Sequence, residues 1–246
     1  MAGWVLHHGD CLEVLRTLPE GSVDAVITDP PYSSGGLFRG DRAKDIHEKY
    51  THGGAKTVRR PAFAGDTRDQ RGWSYWCALW LSECLRITRP GAPICLFSDW
   101  RQLPAATDAL QAGGWIWRGI AVWDKTPAAR PQKGRFTAQA EYIIWGSNGP
   151  MPIERDVGVL PGVFRHAVRQ VDKHHATGKP TPLMADVIRI VPPDGTILDP
   201  FAGSGSTGVA AVQGGYRFIG IEREESYVAI ARARLEAASV SREVAV

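Results

Sequence analysis

The sequence has little of what marks a secreted, membrane-spanning or metal-built protein. It has only four cysteines, Cys11, Cys77, Cys84 and Cys95, and no two of them form a Cys-x-x-Cys pair. Such spacing gives neither a disulfide framework nor a zinc site, and fits reduced thiols in a cytosolic protein. Histidine doublets occur at His7-His8 and His174-His175, but no His/Cys spacing suits a metal ligand set. No apolar stretch is long enough to span a bilayer. The start, Met1-Ala2-Gly3-Trp4, lacks the basic end and apolar run of a signal peptide. There is no internal repeat and no nuclease motif. What remains is a chain of 246 residues, 43% hydrophobic and 22% charged, which suits one globular domain with a sizeable core.

Net charge is also low, +3, but it is unevenly spread. Residues 35–72 carry nine Lys/Arg against five Asp/Glu, and residues 125–173 carry eight against four. The rest of the chain is therefore acidic. Positive charge in two irregular segments on an acidic scaffold suits a polyanion held by loops; two solvated loops would give the same count.

The hydrophobic pattern predicts alternating strands and helices. Strands are expected at Trp4–Leu6, Val23–Thr28, Pro93–Phe97, Trp115–Trp123, Tyr142–Trp145, Thr196–Leu198 and Phe218–Ile221. Helices are expected at Cys11–Leu18 with Asp10 as N-cap, and at Trp73–Ile87, Trp100–Ala112 (or starting only after Pro104) and Pro182–Val191. Two more should follow the glycine turn near 205 and run from Glu225 to about Ala238, with a frayed tail after Ser239. Trp73, Trp76 and Trp80 stand at helical spacing and read as core. Residues 33–72 read as a long functional loop, and 125–139 and 147–175 as a second irregular region. The alternation defines an α/β fold with a doubly wound, mostly parallel sheet.

Two motifs carry the chemistry. Asp29-Pro30-Pro31-Tyr32 follows the strand at 23–28, and open α/β sheets place their ligands at strand carboxyl ends. A carboxylate, proline carbonyls and an aromatic face suit a pocket that holds a planar base and aims its exocyclic nitrogen. Far downstream, Asp199-Pro200-Phe201-Ala202-Gly203-Ser204-Gly205-Ser206-Thr207-Gly208 joins a strand to a helix, and Glu222 ends the next strand. Strand, glycine turn, helix, strand and acid together describe a nucleoside-binding unit, the acid gripping ribose hydroxyls.

These motifs, with Gly9-Asp10-Cys11-Leu12 and His175-Ala176-Thr177-Gly178-Lys179-Pro180, resemble the β-type, permuted amino-methyltransferases of DNA. The resemblance spans nearly the whole chain. It implies a Rossmann-like methyltransferase domain over 1–246 with inserted DNA-recognition loops, S-adenosylmethionine as cofactor and double-stranded DNA as partner. It also allows a homodimer and implies a cytoplasmic, bacterial or phage-encoded, nucleoid-associated enzyme of the restriction-modification kind. Asp29, Pro30, Pro31 and Tyr32 would be catalytic: the Asp29 carboxylate and the Pro30 carbonyl accept the amino N–H bonds and Tyr32 stacks on the flipped base. Phe201, Gly203 and Gly205 would lie under the methionine part, with Thr207 in the same cofactor-binding set. Asp199 would orient that loop or the ammonium, and Glu222 would take the ribose hydroxyls. Asp10 and Cys11 match the segment at the cofactor's adenine, although Asp10 reads equally as a helix cap. Thr177 and Lys179 match the segment that holds the methionine carboxylate, where Gly178 stands in place of the family's more usual Gln.

Phe38, Arg39, Arg42, Arg59, Arg60, Lys133 and Arg135 are candidates for phosphate or base contact. The loop at 33–72 would close over the base, and 125–175 would read the sequence. Aspartate at 29 favours adenine N6 as target, where cytosine-N4 enzymes more often carry serine. Two readings outside this class remain: a nicotinamide-dependent oxidoreductase built on Gly203-x-Gly205, which leaves the Asp29 motif without a role, and a non-catalytic DNA-binding protein.

Overall fold

The computed structural model describes residues 3–32, 69–127, 129, 133–168 and 178–245. Within them lie eight strands: β1 (Trp4–His8), β2 (Ala25–Thr28), β3 (Pro93–Ser98), β4 (Ile116–Asp124), β5 (Ala140–Ser147), β6 (Val163–Arg165), β7 (Thr196–Asp199) and β8 (Arg217–Glu222). Six α-helices accompany them: α1 (Cys11–Thr17), α2 (Gln70–Ile87), α3 (Leu103–Ala112), α4 (Thr181–Val187), α5 (Ser206–Gln213) and α6 (Glu225–Ala245). The strands form one sheet in the order β1-β8-β7-β2-β3-β5-β4-β6. Every pairing is parallel except those of β5, which runs antiparallel to β3 and to β4. Seven carboxyl ends and the amino end of β5 therefore meet along one rim.

Helices cover both faces, and strand alternation assigns side chains to each. Ala25, Ile27, Cys95, Phe97 and Ile197 pack with α4, α5 and α6, while Val26, Ile94, Leu96 and Leu198 pack with α1, α2 and α3. All positions of β2, β3 and β7 are buried, as expected of parallel strands covered on both faces. Trp73 and Trp80 of α2 are fully buried, in line with their helical spacing. The Trp115 indole donates to the Leu81 carbonyl at 2.9 Å and ties that helix to the start of β4. All four cysteines are buried free thiols.

Several boundaries differ from the sequence expectation. Strand β2 begins at Ala25, because Val23 makes only an isolated bridge to Thr88. Helix α2 begins at Gln70, capped by the Asp69 carboxylate on the Gln70 amide at 2.7 Å, so the end of the expected 33–72 loop is helical. Helix α3 starts at Leu103, between the two expected starts at Trp100 and after Pro104; Pro104 sits in its first turn, where its missing N–H costs nothing. Helix α4 stops at Val187 and tightens into a 3₁₀ turn over Ile188–Ile190. Strand β6 falls inside the expected irregular region, being too short for a period to show. Helix α6 continues past Ser239, whose hydroxyl receives the Trp4 indole N–H at 3.0 Å.

Tight packing of α5 against β8 and α6 depends on Gly208. A Cβ there would stand 2.5 Å from Phe218 Cε1 and 2.8 Å from Leu235 Cδ2. Gly208→Ala should therefore lower stability by about 1–3 kcal/mol, read as a reduced Tm by circular dichroism. An unchanged Tm would mean that α5 is free to shift.

Candidate active site

The rim collects acids because strand after strand ends in one. Asp10 follows β1, Asp29 follows β2, Asp99 follows β3, and Asp199 and Glu222 end β7 and β8. Since β1, β8, β7 and β2 are neighbours, Asp10, Glu222, Asp199 and Asp29 stand in a row. Three inter-strand steps make that row roughly 14 Å long. The two sequence motifs thus leave adjacent strands, β7 and β2, paired Ala25 to Ile197 and Val26 to Leu198.

One half of the row is a backbone cradle. Asp199, 2% exposed, accepts from Thr28 Oγ1 at 2.7 Å, Thr207 Oγ1 at 2.7 Å and the Phe201 amide at 3.1 Å. Burial pushes its carboxyl up from the ordinary range, and the Thr207 and Thr28 hydroxyls pull against that. Asp199 is thus bonded to the loop that follows it, with Thr207 as a buried hydroxyl donor. Gly203 and Gly205 hold φ of 52° and 83°, left-handed values that side chains resist. Gly205 caps α5, and a Cβ there would also meet Ala231 Cβ at 3.1 Å. Glu222 accepts from the Gly203 amide at 2.8 Å and the Glu224 amide at 2.8 Å, and burial raises its carboxyl pKa. With the Arg223 backbone bond as well, three of its roughly four acceptor sites are taken and one is left for a hydroxyl. Asp10 caps α1 through Leu12 N at 2.9 Å, and Cys11 is buried behind it. Phe201 is half-buried, its ring 5.3 Å from Trp76 and 5.1 Å from Trp80, so it packs on the core beside the loop.

The other half is a charged pocket. Asp29 Oδ2 lies 2.5 Å from Lys179 Nζ, while its Oδ1 is sealed from solvent with no hydrogen-bond partner among the described residues. Lys179 Nζ also lies 2.8 Å from Glu141 Oε1, which accepts the Tyr32 hydroxyl at 2.9 Å. Lys125 Nζ stands 3.6 Å from Glu141 Oε2. Burial pushes the Asp29 carboxyl up to about 6, against the pull of Lys179 and with added repulsion from Glu141. Burial, followed by the Glu141 and Asp29 charges, also holds the Tyr32 phenol well above its usual range.

Two expectations change here. The prolines were expected to leave their carbonyls free for a ligand, but the Pro31 carbonyl accepts the Trp73 indole N–H at 2.7 Å, which pins the motif to α2. Lys179, matched by resemblance to the cofactor's carboxylate, pairs with two protein carboxylates. Lys133 and Arg135 are exposed on the connection between β4 and β5, which leaves the sheet at this rim. Thr177, Phe38, Arg39, Arg42, Arg59 and Arg60 lie outside the described residues. The sequence reading missed Glu141, whose only sign was one acid opening an apolar strand, and the fully exposed Phe136 beside Arg135.

This arrangement is that of an S-adenosylmethionine-dependent methyltransferase. The N6/N4 methyltransferase model, described as DNA methylase, matches residues 23–233, and the chain belongs to that family. It is 30% identical over 230 residues to the methylase candidate YubD of Escherichia coli (strain K12), covering 93% of this chain and 88% of that protein. It is likewise 30% identical over 254 residues to the type II methyltransferase M.HinfI of Haemophilus influenzae, covering 92% of this chain and 67% of the relative. Among solved structures, the cytosine-N4-specific PvuII DNA methyltransferase superposes with a TM-score of 0.68 at 18% identity, over 98% of this chain and 91% of that one. The family's methyl donor is S-adenosylmethionine, and the residues present fit it: a left-handed glycine loop at a helix start, with Glu222 offering hydroxyl acceptors on the neighbouring strand.

The Asp199 clamp gives a direct test. Thr207→Val keeps the shape but leaves a buried carboxylate oxygen without its hydroxyl donor. It should cost about 1–3 kcal/mol of stability by urea denaturation and weaken S-adenosylmethionine binding. A silent substitution would mean that this hydroxyl does not hold the loop.

Proposed function

We infer that the chain transfers a methyl group from S-adenosylmethionine to the N6 amino group of an adenine flipped out of double-stranded DNA. The observation that carries this reading is Asp29 Oδ1, a sealed acceptor with no hydrogen-bond partner among the described residues, just after the strand that pairs with β7. Phe201, Gly203, Gly205, Thr207 and Glu222, with Asp10, Cys11 and Asp199, are the residues that would hold the cofactor. When bound, that cofactor supplies an activated methyl on a sulfonium.

An adenine amino group is a weak nucleophile because its lone pair is delocalised into the ring. Asp29 Oδ1 accepts one of its N–H bonds and the Pro30 carbonyl the other, which localises the lone pair. The Tyr32 ring stacks on the base. Once the new N–C bond has formed, the cationic nitrogen loses its proton readily, so Asp29 acts by positioning and charge more than as a strong base. Extrusion of the base costs a few kcal/mol of stacking and pairing. The basic segments at 33–72 and 125–175 would supply the phosphate contacts that offset it, Lys133 and Arg135 among them. Aspartate at position 29 supports adenine over cytosine.

The reading predicts that DNA methylated with labelled S-adenosylmethionine yields N6-methyladenine on nucleoside digestion. N4-methylcytosine alone would overturn the choice of base, and no transfer at all would favour a non-catalytic DNA-binding protein. Asp29→Asn should abolish transfer and keep cofactor binding. The anion is the working form of Asp29, so the acid limb of kcat/KM should fall at a pH of about 6, with activity lost as pH drops through it. A profile flat down to pH about 4, the ordinary carboxylate range, would contradict the role.

A further inference from the structure

If Asp29 is the acceptor, two buried charged groups beside it have no part in the chemistry so far. Glu141 at the mouth of β5 is 8% exposed, and Lys179 just before α4 is 6% exposed. Buried charges are costly unless they pair and fill their hydrogen-bonding capacity. Here one ammonium serves two carboxylates, 2.5 Å from Asp29 Oδ2 and 2.8 Å from Glu141 Oε1. The Lys179 ammonium also lies 5.7 Å from the centre of the Tyr32 ring and 5.2 Å from that of Phe97.

This geometry divides the Asp29 carboxylate in two. Lys179 ties down Oδ2, and Oδ1 is the oxygen left for an incoming N–H. Glu141 holds the other side of the ammonium and takes the Tyr32 hydroxyl with the same oxygen. The acceptor and the stacking ring are thus both referenced to one side chain on the antiparallel strand.

We propose that Glu141 and Lys179 are positioning residues for methyl transfer, Lys179 orienting Asp29 and holding it as an anion, Glu141 seating both that lysine and the Tyr32 ring. This rests on the reading of Asp29 given above. It departs from a role for Lys179 at the cofactor's carboxylate.

The charges around Asp29 set the expected signs. Lys179 attracts, while Glu141 from β5 and Asp199 from β7 repel. Tyr32 faces Glu141, Asp29 and Asp99 from β3, and Lys125 at the end of β4 neutralises part of Glu141. Removing the lysine strips an attraction that keeps Asp29 ionised, so its pKa rises. Removing the Glu141 charge strips a repulsion, so its pKa falls.

The test is the pH profile of kcat/KM for Lys179→Met, Lys179→Arg and Glu141→Gln, with S-adenosylmethionine binding measured by calorimetry in each. Lys179→Met should move the acid limb up by about one pH unit or more, and Glu141→Gln should move it down. Lys179→Arg should restore the wild-type limb, and cofactor Kd should change by less than about threefold throughout. An unmoved limb in Lys179→Met, with cofactor binding weakened about tenfold or more, overturns the proposal and returns the lysine to the cofactor. Shifts of the same sign in Lys179→Met and Glu141→Gln also overturn it, because general loosening has no sign preference for charge. Asp29→Asn separates the two layers: if that variant stays active, the reading of Asp29 fails, whereas an inactive Asp29→Asn with unmoved limbs elsewhere defeats the positioning role alone.

Discussion

The pairing of β2 with β7 is the contact on which the site depends. It brings two stretches from opposite ends of the chain side by side, and a buried hydrogen bond from Thr28 Oγ1 to Asp199 Oδ1 at 2.7 Å locks their ends together. Thr28 immediately precedes Asp29, and Asp199 immediately precedes the cofactor loop. One buried carboxylate therefore holds the glycine loop through Thr207 and Phe201 and ties it to the strand that leads into Asp29. The desolvation of Asp199 is offset by these donors and by the Lys179 charge, so losing a donor leaves a buried carboxylate less well satisfied.

The rim poses an electrostatic problem that the fold answers locally. A row of carboxylates is poor company for DNA, and each acid is engaged in its own way. Asp10 caps a helix, Glu222 takes backbone amides, and Asp29 and Glu141 share a lysine. The sequence concentrates positive charge in residues 35–72 and 125–173 instead. On the proposed reading, scaffold and basic segments would divide the labour: the scaffold would position a methyl donor and an amino group, and the basic segments would meet the phosphates.

Much of this was legible from residue order alone. Alternating strands and helices gave the doubly wound sheet, and the motifs at 29–32 and 199–208 sit at the carboxyl ends of adjacent strands. The tryptophan spacing on α2 marked a core stripe. What escaped has physical reasons. Strand β6 has three residues, too few for a period, and gains its place only by pairing with Val122–Asp124. Glu141 reaches the site because β5 runs antiparallel and so presents its first residues to the rim, a fact of topology invisible in sequence. The pairing of Lys179 with Asp29 spans 150 residues and needed the fold to bring the two together. The Trp73 bond to Pro31 likewise joins residues that no local pattern relates.

The central claim is that one sealed carboxylate oxygen faces the nitrogen to be methylated. The most direct measurement is a crystal structure of the protein with a non-reactive S-adenosylmethionine analogue and duplex DNA carrying its recognised adenine. The account predicts the flipped adenine stacked on Tyr32, its N6 about 3 Å from Asp29 Oδ1, with Oδ2 still on Lys179. An adenine held elsewhere on the rim, or an Asp29 side chain turned away from the bound methyl donor, would contradict it.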